Sequence, residues 1–266
     1  MTRLVHLTDL HFGLHRADLV ALLRAAVTAC GADAVVVSGD LTQRALPGQF
    51  AQAMAFLRDL GLPFMVIPGN HDLPVFNPLM RLFNGFGPYR RHASPDLTPV
   101  MQVGAVRLFG MNSADPFKWR GGVAREDEID RMCRTMQDGP REAINIVVCH
   151  HPLEEPAGFE RGETDGAVVA MARLAQAGAR IALTGHLHHW STGLGISDQA
   201  ARPVFQMQTG TALCARERER DHGFAVLDIH AGRLVVTRWI VNEALLRFDA
   251  RPASAFVWQA GLWRTA

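Results

Sequence analysis

Apolar residues gather in nearly continuous runs at 4–7, 34–37, 64–67, 144–148 and 181–183, each followed within two or three residues by Asp, Asn or His. Runs this continuous, without the alternation of a half-exposed sheet, predict strands buried on both faces. Stretches of helix length lie between the runs, at 18–30, 47–60, 125–137 and 165–176. In the first, Leu19, Leu22, Leu23, Ala26 and Val27 recur at helical spacing behind Asp18 as a cap. In the third, Glu126, Asp127 and Glu128 place acid in the first turn, where the helix dipole favours it. Such alternation predicts an α/β fold, with a further strand at 106–111. Beyond residue 188 the runs 204–208, 223–229 and 234–241 lack helix-length spacers and predict antiparallel strands in a second sheet.

The polar residues after the five runs repeat one local grammar: Asp9-Leu10-His11, Gly39-Asp40, Gly69-Asn70-His71-Asp72, His150-His151 and Gly185-His186-Leu187-His188. One such pair means little. Five in order predict one pocket fed by five strand ends, because sites in open α/β sheets gather at the carboxyl ends of strands. Asp-x-His and His-x-His suit metal binding if the backbone is extended, since alternate residues then project to one side. Gly39, Gly69 and Gly185 each precede a ligand type, which predicts sharp turns that glycine tolerates.

The order Asp-x-His, Gly-Asp, Gly-Asn-His-Asp, a later His and Gly-His-x-His resembles the calcineurin-like metallophosphoesterase superfamily from about residue 4 to residue 188. The Gly-Asn-His-Asp form and the His-His-Pro tripeptide at 150–152 look most like bacterial class III cyclic-nucleotide phosphodiesterases. The resemblance implies a four-layer αββα sandwich, two mixed sheets flanked by helices. It also implies two transition-metal ions, Mn, Fe, Zn or Co, as cofactors. Asp9, His11 and His188 would hold the first, Asp40 would bridge, and Asn70, His150 and His186 would complete the second. His71 would act on the substrate, with Asp72 as its orienting carboxylate. His151 is left as a support or a substrate contact, and Asn112 and Ser113, just past a strand, as a substrate contact or a simple turn. Asn70, His71 and Asn112 form the candidate substrate-binding set.

The implied activity is hydrolysis of a phosphodiester such as a 3′,5′-cyclic nucleotide, by in-line attack of a metal-bridging hydroxide with His71 assisting the leaving alkoxide. A phosphomonoesterase, or a pyrophosphatase acting on a nucleotide-sugar lipid, is the enzymatic alternative. Some members of the superfamily are non-catalytic protein-binding scaffolds, but these tend to lose ligands, and here the set is intact. Related phosphodiesterases often dimerise, so a homodimer is the expected assembly.

Composition narrows the partners. The formal net charge of +1 over 266 residues leaves no broad basic footprint, so a small phosphodiester is expected rather than nucleic acid. No apolar stretch is long enough to span a bilayer, no secretory leader is evident, and four isolated cysteines do not read as a disulfide scaffold; together these point to the cytoplasm. Motifs scattered from residue 9 to residue 188 predict a single domain over 1–266. Its tail, 247–266, carries Phe256, Trp258 and Trp263 and would cap the core or cross to a partner subunit. Cys149 reads as a small buried hydrophobe beside His150. Arg216, Arg218 and Arg220 alternate with Glu217 and Glu219 as a solvated turn from which one arginine could reach substrate. Residues 73–92, with Phe76, Phe83, Phe86 and Tyr89, form either a lid or a short helix packing its aromatics on the core. Residues 112–124, with Phe117, Lys118 and Trp119, form a candidate rim. His6, His15, His92, His189, His222 and His230 carry no assigned role.

Overall fold

Leu4 and Val5 are adjacent on one strand and both fully buried, yet they belong to different hydrophobic cores. A strand that must satisfy two cores has no polar face, which is why its sequence reads as a continuous apolar run. The computed structural model describes residues 1–154, 164–192, 204–217, 219 and 221–266.

In chain order the first half comprises β1 (Thr2–Leu7), α1 (Ala17–Ala29), β2 (Ala34–Val37), α2 (Pro47–Asp59) and β3 (Phe64–Val66). A 3-10 turn at Asn70–Asp72 leads to α3 (Pro78–Asn84) and α4 (Gly87–His92). Then follow β4 (Val100–Val103), β5 (Val106–Met111), β6 (Gly122–Val123), α5 (Glu126–Gln137), β7 (Ile144–Cys149), β8 (Thr164–Asp165), α6 (Ala167–Gln176) and β9 (Ala179–Thr184). The remainder is β10 (Ser191–Thr192), β11 (Phe205–Gln208), β12 (Gly223–His230), β13 (Arg233–Asn242), β14 (Arg247–Ala250), β15 (Ser254–Gln259) and β16 (Leu262–Thr265).

One sheet runs β16-β15-β13-β12-β1-β2-β3, with β14 also on β13, and the other runs β10-β11-β9-β7-β5-β4. Both are mixed: β1, β2 and β3 are parallel and β12 is antiparallel to β1, while β11, β9, β7 and β5 are parallel inside antiparallel edges. Val5, Leu7, Val35 and Val37 pack on Leu19, Leu23 and Phe50 of the first two helices. Leu4 and Val36 meet Ile146, Val148, Ile181 and Leu183 between the sheets. Phe109, Val147 and Ala182 pack outward on Ile129, Met132 and Leu174 of α5 and α6. Helix, sheet, sheet and helix therefore stack as four layers.

Several local expectations differ. The strands after residue 188 do not build a separate antiparallel sheet. β11 joins the second sheet parallel to β9, pairing Phe205 with Ile181, while the tight β12–β13 hairpin extends the first sheet from β1. Asp18 lies inside the first turn of α1 and pairs with Arg16, which occupies the cap position. In 73–92 only Tyr89 among the aromatics is fully buried; Phe76 and Phe83 are 67% and 80% exposed. In the tail, Trp263 is buried on the inter-sheet core and donates its indole N–H to the Arg180 carbonyl at 2.8 Å. No described helix is long and apolar enough to cross a membrane.

Candidate metal centre

Five of the predicted ligands sit on left-handed backbone: Asp9 (φ 53°), His11 (46°), Asp40 (52°), His186 (71°) and His188 (53°), out of nine such non-glycine residues among those described. Asp-x-His and His-x-His are thus not extended pairs, as the spacing suggested. Asp, Asn and His tolerate this region better than most residues, but each instance still costs roughly 1–3 kcal/mol and persists only where the surroundings impose it. Here the surroundings are backbone ties between strand ends. Asp9 N–H donates to the Gly39 carbonyl (3.2 Å), His11 N–H to the Asp40 carbonyl (3.0 Å) and Gly185 N–H to the His150 carbonyl (3.0 Å).

The three glycines act partly for another reason than predicted. Gly39 has φ 91°, but Gly69 and Gly185 do not lie in the positive-φ region. They leave room: a Cβ at Gly69 would strike Asp40 Oδ1, and one at Gly185 would strike Thr8 Oγ1 and lie 2.6 Å from Asp9 Oδ2.

The predicted ligand side chains converge in two groups that share Asp40. In the first, Asp9 Oδ1 lies 2.9 Å from His188 Nε2 and 3.5 Å from His11 Nε2, and the two imidazole nitrogens face each other at 3.1 Å. In the second, Asn70 Oδ1 lies 3.1 Å from both His150 Nε2 and His186 Nδ1. Asp40 Oδ2 stands 3.5 Å from His11 Nε2 and 3.4 Å from His150 Nε2, one oxygen facing both groups. Ring nitrogens turned on each other and on a common oxygen are the arrangement expected where a cation is held between them. The opposite ring atoms are anchored: His150 Nδ1 donates to the Ser38 carbonyl at 2.8 Å, and His188 Nδ1 lies 2.7 Å from the Glu219 carboxylate.

Charge agrees with that chemistry. Burial alone would raise the Asp9 and Asp40 carboxyls, but neighbouring imidazoles outweigh it, His188 first for Asp9 and His150 first for Asp40, and hold both well below the usual range. Burial pushes His11 down to about 4 and His186 down to about 3, so both rings are neutral. His150, also opposed by burial, is carried up to about 9 by Asp40, and His188, opposed in the same way, is raised by Asp9, so a cation bound here would displace a proton from each of these two rings. Two ionised carboxylates, one amide oxygen and a ring of imidazoles form a mixed oxygen and nitrogen set of the kind that holds a divalent cation.

Above these groups opens a cleft of about 560 Å³ lined by Asp40, Asn70, His71, His186 and His188, with Arg216, Arg120 and Trp119 in its walls. His71 projects into it. Its backbone N–H donates to Asp40 Oδ1 (2.8 Å), its Nδ1 donates to the Gln43 carbonyl (2.9 Å), and its Nε2 accepts from Arg216 at 2.9 Å.

Two role assignments need correction. Asp72 does not orient His71. Its carboxylate accepts from the backbone N–H of Leu41 (3.1 Å), Thr42 (2.9 Å) and Gly69 (3.0 Å) and from the Thr42 hydroxyl (3.0 Å), which clamps the loops carrying Asp40 and Asn70. Burial and the nearby Asp40 push Asp72 up to about 7. Asn112 does not line the cleft; its Oδ1 accepts from Ala114 N–H at 3.1 Å, the simple-turn alternative.

His151 is buried against His186, ring centroids 4.5 Å apart, with Nδ1 bonded to the Ser113 hydroxyl at 2.9 Å. His6, given no role, is fully buried between the Ser38 and Thr209 hydroxyls, both at 2.8 Å. Cys149 packs in the outer core, its thiol pushed up to about 12 by burial. Arg218 and Arg220 lie outside the described residues. The contacts that sequence reasoning missed, Gln43 to His71 and Glu219 to His188, join residues distant in sequence, and no local pattern announces them.

A sequence model of the calcineurin-like phosphoesterase family matches residues 2–190. The chain belongs to this family. It is 25% identical over 225 residues, 77% of its own length and 81% of the relative's, to a probable cyclic nucleotide phosphodiesterase of Synechococcus sp.. A probable glycerophosphodiester phosphodiesterase of Arcobacter nitrofigilis is 26% identical over 167 residues, 61% of this chain and 59% of that one. Among solved structures, a dimetal phosphatase from Danio rerio shares the fold with a TM-score of 0.68 at 11% identity, covering 97% of this chain and 99% of that one. As a calcineurin-like phosphoesterase, the chain is a hydrolase of phosphoric esters, and the family implies divalent metal ions at the His and Asp clusters described above.

Proposed function

We propose that the chain is a phosphodiesterase using two metal ions, with a 3′,5′-cyclic nucleotide as its leading substrate. The observation that carries this reading is Asp40, whose one oxygen stands between His11 at 3.5 Å and His150 at 3.4 Å. When bound, the two ions would lower the pKa of a water and neutralise phosphoryl oxygens. Asp9, His11 and His188 would hold one ion and Asn70, His150 and His186 the other, with Asp40 shared. Arg216, donating to His71 Nε2 and lining the cleft, supplies N–H groups for a phosphoryl oxygen. His71, fixed through Nδ1 by the Gln43 carbonyl, presents Nε2 to the ester; with Arg216 turned from Nε2 to the phosphoryl oxygen, the ring in its protonated form gives the Nε2 proton to the departing alkoxide.

The first-named relative supports the cyclic-nucleotide assignment, and the second supports a glycerol diester as the alternative. A non-catalytic scaffold role is disfavoured by the intact ligand set. Convergence of ligands from Asp9 to His188 on one cleft supports a single domain. The four free cysteines suit a reducing, cytoplasmic compartment, and a homodimer is the proposed assembly.

The test is hydrolysis of cyclic AMP beside bis(p-nitrophenyl) phosphate and p-nitrophenyl phosphate by metal-stripped protein reconstituted with Mn. Cyclic AMP and the aryl diester should turn over faster than the monoester. Monoester preference would refute the diesterase reading, and cleavage of the aryl diester alone would move the substrate to another diester.

A further inference from the structure

Trp119 is 57% exposed and lines the cleft, yet it is firmly held. The Arg81 guanidinium lies 4.4 Å from the indole centroid. Arg81 is itself only 4% exposed. It donates to the carbonyls of Lys118 (2.7 Å), Pro116 (2.8 Å) and Pro74 (3.4 Å), and forms no ion pair with a described carboxylate. Burying a cation without a counter-charge is costly, and what this one supports is a solvated aromatic plane. The backbone that carries that plane is tied to the Asp and His cluster, because the Trp119 carbonyl accepts from Asn70 Nδ2 at 3.2 Å while Asn70 Oδ1 faces the imidazoles. Phe117, on the same loop and 75% exposed, does not line the cleft, which separates Trp119 from a general apolar surface.

We propose that Trp119, positioned by Arg81, is the platform on which a nucleobase of the substrate stacks, so that the preferred phosphoesters are nucleotides rather than esters of glycerol or lipid. This rests on the cleft being the phosphoester site. A flat heterocycle stacks on an indole without a dedicated hydrogen-bond partner, and both planes shed water as they meet. An aliphatic ester has no plane to offer.

The test is calorimetric titration of the metal-loaded protein with 5′-AMP and with ribose 5-phosphate, which share sugar and phosphate and differ in the base. Wild type should bind 5′-AMP roughly tenfold more tightly. In Trp119→Ala the preference should vanish with ribose 5-phosphate affinity unchanged, and Trp119→Phe should keep part of it. Arg81→Met, which also removes a cation bordering the cleft, should lower the ratio of the two affinities. Equal affinities in wild type, or a preference that survives in Trp119→Ala, overturns the platform. If neither ligand binds fully metal-loaded wild type, the phosphoester reading of the cleft fails and the platform falls with it.

Discussion

Asp40 and His71 stand 2.8 Å apart, carboxylate to backbone N–H, but their proposed tasks are separable. Asp40→Ala should reduce bound metal by at least one ion per chain, read by elemental analysis. His71→Ala should keep both ions and lower turnover about 10²- to 10⁴-fold, with a poor leaving group suffering more than an aryl ester. Full metal and activity in Asp40→Ala would sink the bridging role. Equal losses on both leaving groups would argue against His71 assisting departure. A third substitution probes space rather than charge. Gly185→Ala drives a methyl into Thr8 and towards Asp9 Oδ2, so metal content and melting temperature should both fall below wild type. At this scale the convergence of these side chains on one cleft was legible because each carries donor chemistry next to a strand end. The roles of Asp72 and Asn112 were not, since a carboxylate or amide beside a ligand looks the same whether it faces an imidazole or caps a loop, and only the backbone path decides.

At the scale of elements, the buried strands were legible because a strand packed on both faces leaves no room for polar residues, as in Ala34–Val37. The partners of those strands were less so. β11 and β12 have similar apolar sequences, and only their pairing with Ile181 or Leu4 assigns them, and β13 with β12, to different sheets. α3 misled more, because its apolar residues Leu79, Leu82 and Phe83 remain exposed while Arg81 is the buried one. One helix allows a pH test. Glu128 of α5 is buried and accepts from Asn112 N–H at 2.6 Å, and burial raises its carboxyl to about 7. The folded state thus holds a proton that the unfolded state releases near the ordinary Glu value, so this residue's contribution is favourable below that value and fades as pH rises through about 7. Glu128→Gln should therefore be more stable than wild type at pH 8, by on the order of 2 kcal/mol, with the gap closing at pH 4. Urea denaturation at both pH values checks this, and a gap independent of pH would contradict it.

For the whole molecule, the site couples both sheets: β1, β2 and β3 lead to Asp9, Asp40 and Asn70, while β7 and β9 lead to His150 and His186. A cation bound there would tie the two halves together and neutralise two buried carboxylates. Stability should then follow free metal by linkage, with about 2.7 kcal/mol gained at a hundredfold excess over the dissociation constant. Thermal melting in chelator and in Mn should differ by several degrees, and Asp40→Ala should lose most of that difference. No shift in wild type would mean that the imidazoles and carboxylates converge without holding a metal. The most direct measurement is an anomalous difference map from crystals of Mn-loaded protein. Two peaks about 4 Å apart, one beside Asp9, His11 and His188 and the other beside Asn70, His150 and His186, with Asp40 between them, are the predicted result. A single peak, or peaks that leave Asp40 unliganded, would contradict the two-metal site.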